Sequence, residues 1–233
     1  MYKISKTAGL LAIIACVAAA YSWAAVENDI QEGTTVMQSM TGRQAQNVPG
    51  KKDGKRLVVY FSVPETDAMD ASSGASRVVS GGQVMGNTRY VASIISEATG
   101  GDLFEIKTVH TYPASHKALI DAAKEEADSK ARPKLATHIK NLKDYDVVFV
   151  GFPNWWYDMP MPLYTFFDEY DFKGKTIIPF CTHGGSRFSE AIKTIREMEG
   201  GAIVMDGYAI SRDRVPESRD GILKWLDRIG MRK

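Results

Sequence analysis

The chain has 233 residues with 29 basic and 28 acidic side chains, so its formal net charge is +1 at pH 7. A balance this close to neutral argues against partners recognised mainly through charge, such as nucleic acid or an anionic membrane surface. The two cysteines, Cys16 and Cys181, exclude a scaffold built on several disulfides. The length allows one or two domains.

The first 25 residues have the pattern of an export signal. Lys3 and Lys6 precede an uncharged apolar run at residues 9–20, and small residues then favour cleavage after Ala24. Two alternatives stay open: Cys16 ends a lipobox-like sequence and would carry a lipid, or the uncleaved segment would anchor the chain. All three predict an exported, periplasmic or cell-envelope protein. Membrane association is expected only if Cys16 is lipidated or the signal stays uncleaved.

Residues 26–55 form a polar segment with few large apolar side chains. Such a segment cannot bury enough apolar surface to fold alone, so it is predicted to be a linker. Residues 56–233 then remain, which is enough for one domain with a sizeable core.

Apolar patterning predicts strands that alternate with helices through this domain. Three apolar runs, at 57–61, 147–150 and 176–180, are typical of strands buried on both faces. Residues 102–107 carry charges at both ends, which favours an edge strand, and 202–205 is the fifth strand. Apolar residues at helical spacing follow each strand. The pattern predicts an α/β three-layer sandwich around a parallel sheet.

Ligands of such sheets bind beyond the carboxyl ends of the strands, where this chain has three unusual loops. The first loop runs from Ser62 to Gly86, Asn87 and Thr88, at the start of a predicted helix. Free backbone N–H groups and the positive helix end favour an anion there, and the two hydroxyls add donors. The loop therefore predicts a phosphate site. Alternatively, Asn87 or Thr88 simply caps the helix.

The second loop places several aromatic side chains after a buried strand. Its candidate binding residues are Pro153, Asn154, Trp155, Trp156, Tyr157 and Asp158. Neighbouring aromatics in an irregular loop cannot all point inward, and a flat aromatic ligand would account for them. The alternative is a cluster that packs a helix or contacts another subunit.

The third loop is rich in glycine, and its candidate binding residues are Thr182, His183, Gly184, Gly185 and Ser186. The glycine pair allows backbone to approach a ligand closely. Cys181 is expected to be a small packed side chain rather than a reactive thiol. The spacing of the four histidines matches no zinc pattern, so metal binding is not expected.

Together these segments resemble the flavodoxin family, specifically its branch with a long first loop. The resemblance spans about residues 57–211 and is carried by short motifs in the family's order: VYFS at 59–62, GNT at 86–88, DLFEI at 102–106, YD at 145–146, GFPNWW at 151–156, YDFKGK at 170–175, PFCT at 179–182 and GGS at 184–186. It implies a sheet of order 2-1-3-4-5 and one non-covalently bound FMN. The phosphate would lie at Ser62, Gly86, Asn87 and Thr88, and the isoalloxazine between the second and third loops.

Two departures from the family pattern affect these expectations. Residues 63–85 are inserted into what is usually a compact phosphate loop, and the chain is near neutral whereas electron-carrier flavodoxins are strongly acidic. The near-neutral charge of this chain argues against the cationic redox partners that acidic flavodoxins usually have.

The predicted function is FMN-dependent electron transfer outside the cytoplasm, to a redox partner protein or a small-molecule acceptor. Trp155, Trp156 and Tyr157 would flank the ring, and the backbone near Asn154 and Gly184 would hydrogen-bond to it. Asp158 would place negative charge beside the ring or face solvent. The alternatives are an FMN-dependent NAD(P)H or quinone reductase, and a flavodoxin-shaped binding module without flavin.

Overall fold

The computed structural model describes residues 54–65 and 77–233. The predicted signal with Cys16, residues 26–53 of the predicted linker, and part of the first-loop insertion lie outside these residues. No helix in the described part of the chain is both long and apolar enough to cross a membrane.

Residues 54–65 and 77–233 contain eight strands, five longer helices and short 3-10 turns at Leu142–Asp144 and Arg212–Arg214. The strands are β1 Arg56–Tyr60, β2 Arg77–Ser80, β3 Gln83–Gly86, β4 Asp102–Glu105, β5 Val147–Pro153, β6 Thr176–His183, β7 Ile203–Val204 and β8 Tyr208–Ser211. The helices are α1 Asn87–Thr99, α2 His116–Asp128, α3 Met161–Glu169, α4 Ala191–Met198 and α5 Arg219–Arg228.

The main sheet is parallel and has the order β4-β1-β5-β6-β7, which confirms the predicted 2-1-3-4-5 arrangement with β4 at an edge. The outer position beside β6 is shared by two strands. β7 pairs with the start of β6, and β8 pairs with Phe180 to His183 at its end. The sequence predicted one strand at this edge, at 202–205. The structure has two short strands there, because the chain turns at Gly207 (φ 73°) and continues as β8.

Two apolar layers cover the sheet. Alternate residues of β1 show the division, because Leu57 and Val59 pack into one layer while Val58 and Tyr60 pack into the other. Both layers bury residues of β5 and β6, as the continuous apolar runs predicted. A β-carbon added at Gly151 would lie 2.1 Å from the Phe180 ring, so these two strands meet where only glycine fits.

The inserted first loop contains an antiparallel hairpin of β2 and β3, which turns at Gly81 and Gly82, both with positive φ. The last residue of β3, Gly86, leads directly into α1. The insertion therefore leads directly into the helix whose N-terminus was predicted to hold the phosphate. β5 and β6 also run further than predicted, so Pro153, Thr182 and His183 are strand residues.

Candidate functional site

A cavity of about 650 Å³ lies at the carboxyl ends of β5 and β6. It is lined by the predicted second-loop residues Pro153, Asn154, Trp155, Trp156 and Tyr157 and by the predicted third-loop residues Thr182, His183, Gly184, Gly185 and Ser186. The strand register brings the two loops together, because Pro153 pairs with Thr182. The volume is within the usual range for small-molecule and cofactor sites, about 300–1,000 Å³.

Asn154 ties the second loop to the third. Its backbone N–H donates to the Thr182 carbonyl at 2.8 Å, and its side-chain amide donates to the Arg187 carbonyl at 2.9 Å. Because two hydrogen bonds fix this residue, both walls of the cavity are held at a set separation. Asn154 therefore positions the site as well as lining it.

His183 and Gly185 shape the backbone of the third loop. The Gly185 N–H donates to His183 Nδ1 at 2.9 Å, so the neutral ring carries its proton on Nε2. Burial and the nearby Arg187 guanidinium lower the pKa of His183, which keeps the ring neutral at pH 7. Gly185 has φ 135°, a conformation that side-chain-bearing residues rarely adopt.

The three aromatic residues of the second loop have different surroundings. Trp155 packs edge-to-face against Phe61 and Tyr112, with ring centroids 5.5 and 5.4 Å away. Trp156 is 46% exposed, and its indole N–H donates to the Ile120 carbonyl at 3.0 Å. Tyr157 is 68% exposed at the rim. Trp155 thus joins the core to the cavity wall, whereas Trp156 and Tyr157 present ring surface that a ligand can cover.

Asp158 is the second-loop residue that the structure places apart from the cavity lining. Its carboxylate accepts the Tyr164 hydroxyl at 2.6 Å and the Met159 N–H at 2.8 Å. Burial and this carboxylate raise the pKa of Tyr164 to about 12. The Tyr164 hydroxyl on α3 and the neighbouring Met159 N–H thus fix the carboxylate of Asp158, and its expected place beside a bound ring or facing solvent stays a prediction.

The predicted phosphate residues lie at the N-terminus of α1, beside the cavity rather than in its lining. Gly86 is the N-cap of this helix, so neither Asn87 nor Thr88 caps it. Thr88 Oγ1 lies 2.9 Å from Thr182 Oγ1, which connects this helix end to the third loop. Ser62 Oγ accepts the Arg89 N–H at 3.4 Å. One pair of hydroxyls thus connects the predicted phosphate site to the third loop, where the ring was predicted to bind.

The family model described as flavodoxin matches residues 77–229, which is more than half of the chain. The chain belongs to the flavodoxin family. No curated protein matches it.

Several solved structures are similar to this flavodoxin. A candidate flavoprotein from Bacteroides uniformis is 29% identical with a TM-score of 0.56, and the match covers 75% of this chain and 98% of that one. One from Bacteroides eggerthii is 26% identical with a TM-score of 0.55, covering 76% and 98%. A Lactobacillus acidophilus flavoprotein in complex with FMN is 20% identical with a TM-score of 0.49, covering 72% and 99%.

Family membership confirms FMN as the cofactor predicted for this flavodoxin, and the residues at α1 fit its phosphate. Asn87 Oδ1 is buried without a hydrogen-bond partner among the described residues, and as an acceptor it needs a donor such as water rather than a phosphate oxygen. A β-carbon added at Gly86 would lie 2.1 Å from Ser62 Oγ, so glycine is needed for the serine to reach the helix end. Hydroxyls and unpaired helix N–H groups are the donors that a phosphate requires.

The cavity of this flavodoxin also includes residues that sequence reasoning missed, namely Glu65, His116, Ile120, Ala123 and Arg212. Glu65 is buried, and one of its oxygens lies 3.0 Å from His116 Nδ1. The insertion contributes Glu65, and the first turn of α2 contributes His116. Arg212 was missed because β8 was missed. A serine and an arginine directly after an apolar edge segment were the signal that could have found it.

Proposed function

We propose that this flavodoxin is an exported electron-transfer protein that exchanges electrons with a redox partner protein or a small-molecule acceptor. The observation that carries the redox proposal is the cavity at the carboxyl ends of β5 and β6, linked through Thr88 and Thr182 to the N-terminus of α1. Bound FMN would supply one- and two-electron chemistry. The export proposal is supported by the signal-like residues 1–25.

Different residues would bind the phosphate and the ring of FMN. Ser62, Thr88 and the first N–H groups of α1 would hold the phosphate, while the backbone of the third loop would border the ring. Trp156 and Tyr157 would cover one ring face and exclude water from it. Tyr157 would also meet a partner, since it is the more exposed of the two.

The exposed rim favours a carrier over an enzyme that binds a nicotinamide. A carrier needs one accessible flavin edge, whereas a reductase must also hold a nicotinamide against the flavin. The sequence has no second nucleotide-binding fingerprint of the G-x-G-x-x-G type. We therefore expect NADH and NADPH to reduce the bound flavin far more slowly than the ~10 s⁻¹ typical of enzymes.

Anaerobic stopped-flow mixing of the FMN-loaded full chain with each nicotinamide tests this expectation. Slow bleaching by both nicotinamides, together with ready reduction by dithionite, supports the carrier. Rapid and saturable bleaching, followed by turnover when a quinone is added, contradicts it and establishes the reductase.

The second candidate is a reductase for a quinone or a similar acceptor, and the Glu65–His116 pair favours it. A buried carboxylate 3.0 Å from a partly exposed imidazole orients the ring. Such a pair would suit proton delivery to an acceptor oxygen in the cavity. His116→Gln should then lower quinone turnover and change its pH profile, while one-electron transfer from the flavin to ferricyanide stays unchanged.

A further inference from the structure

Arg212 lies against the third loop because of the strand that sequence analysis missed. β8 pairs with the end of β6 through Ser211 opposite His183, so the next residue, Arg212, lies beside the glycines that follow His183. A β-carbon added at Gly184 would lie 3.1 Å from Arg212 Nη1 and 3.3 Å from Cζ. The guanidinium therefore packs on the Gly184 backbone and lines the cavity.

The charge of Arg212 is only weakly compensated by the described protein groups. Its Nε atom is buried and has no hydrogen-bond partner among them. The Asp213 carboxylate is 3.9 Å from that nitrogen, which is too far for a hydrogen bond. The side chain as a whole is 30% exposed. Because guanidinium stays charged at all relevant pH values, the accessible part of the side chain that lines the cavity favours an anionic or carbonyl ligand there.

Negative charge around the cavity does not offset this arginine. Of the described lining residues, Glu65 supplies the carboxylate, and it contacts His116 at 3.0 Å. Asp158 directs its carboxylate to the Tyr164 hydroxyl instead. Arg187, in the third loop, adds a second positive charge close enough to lower the pKa of His183. The third-loop wall is thus electropositive, the reverse of what an acid beside the ring would produce.

We propose that Arg212 recognises the negative charge that FMN gains on reduction, and thereby raises the reduction potential of the bound flavin. The inference rests on the proposed function. Two electrons from a reductant and one proton from solvent convert neutral flavin into its singly anionic reduced form. A cation on the cavity wall stabilises that product more than the neutral ring. By thermodynamic linkage, each tenfold preference for the reduced form raises a two-electron potential by about 30 mV.

The test compares FMN-loaded full chains with and without this charge. Arg212→Gln removes the charge, Arg212→Lys retains it, and Arg214→Gln is the matched control. Arg214 belongs to the same 3-10 turn but lines a separate cavity with Tyr208 and Glu217. Titration of apoprotein gives the affinity for oxidised FMN, spectroelectrochemistry gives the midpoint potential, and urea denaturation of the apoprotein gives stability.

We expect Arg212→Gln to weaken reduced FMN at least tenfold more than oxidised FMN, which lowers the midpoint potential by about 30 mV or more. Arg212→Lys should retain most of the wild-type potential, and Arg214→Gln should match it. If Arg212→Gln does not fold, Arg212→Met keeps the aliphatic packing of the side chain and should show the same loss of potential.

An unchanged potential in a folded, FMN-loaded Arg212→Gln or Arg212→Met variant overturns the inference. Equal weakening of both redox forms also overturns it, because that result assigns Arg212 to uniform binding of the cofactor. Wild-type chain that binds no FMN would instead overturn the proposed function, which makes the two failures distinguishable.

Discussion

Truncation of the two adjacent tryptophans should have different effects. Trp155→Ala should mainly lower the stability of the apoprotein, and Trp156→Ala should mainly weaken FMN binding. Trp155→Ala removes edge-to-face contacts with Phe61 and Tyr112, each worth about 0.5–1.5 kcal/mol beyond area burial. Truncation of a fully buried tryptophan to alanine lowers the unfolding free energy by about 3–5 kcal/mol. Since one side of Trp155 borders the cavity, we expect the apoprotein to lose about 2–4 kcal/mol of unfolding free energy.

Trp156→Ala removes one hydrogen bond to the Ile120 carbonyl and a distant contact with the Lys124 ammonium, 5.8 Å from the ring centroid. These are worth about 1 kcal/mol together at a half-exposed site. The same change should weaken FMN binding by about 1–3 kcal/mol, because it removes ring surface beside the cavity.

Urea denaturation of each apoprotein, followed by circular dichroism, measures the first effect, and FMN titration measures the second. Circular dichroism is preferred because each substitution removes one of the fluorescent tryptophans and so alters the fluorescence signal. A Trp155→Ala apoprotein as stable as wild type, or a Trp156→Ala apoprotein that is the less stable of the two, would refute the assignment of Trp155 to the core.

Three further experiments test the phosphate site, the pH dependence of stability and the mature N-terminus. Gly86→Ala places a methyl group 2.1 Å from Ser62 Oγ, so FMN titration should show binding weaker by about 1–2 kcal/mol, the value of one or two lost hydrogen bonds. Gly200→Ala, with open space around the added methyl group, should have no such effect. Burial raises the pKa of Glu199 to about 7, so the folded chain holds this proton more tightly than the unfolded chain does. The free energy of unfolding therefore falls as pH rises through 7. Urea denaturation should show that Glu199→Gln loses less stability than wild type between about pH 5 and pH 8. Intact-mass measurement of the native protein should give a chain that begins at Ala25, and a lipid-bearing chain that begins at Cys16 would contradict cleavage after Ala24.

The sheet was largely predictable, because its central strands are buried on both faces and therefore appear as uninterrupted apolar runs. Strand order followed from the family resemblance and from the charged ends of the β4 segment. The outer edge was harder to predict. β7 has only two residues, and the chain turns at Gly207 before β8, so neither strand has a pattern long enough to recognise.

The loops of the site were predictable by residue type, but the directions of their side chains were not. Trp155, Trp156, Tyr157 and Asp158 are neighbours in sequence, yet one packs inward, two lie at the rim and one is hydrogen-bonded to α3. Positive φ angles at Trp156 and Tyr157 produce this divergence. Glu65, His116 and Arg212 were missed because they reach the cavity from distant segments, so no local motif connects them.

The measurement that tests the central claim most directly is titration of the full-length apoprotein with FMN and with FAD. One phosphate site at α1 and the adjoining cavity at the carboxyl ends of β5 and β6 predict a single FMN per chain, bound more tightly than FAD. Binding of FAD with equal or greater affinity, or no binding of FMN, would contradict the account.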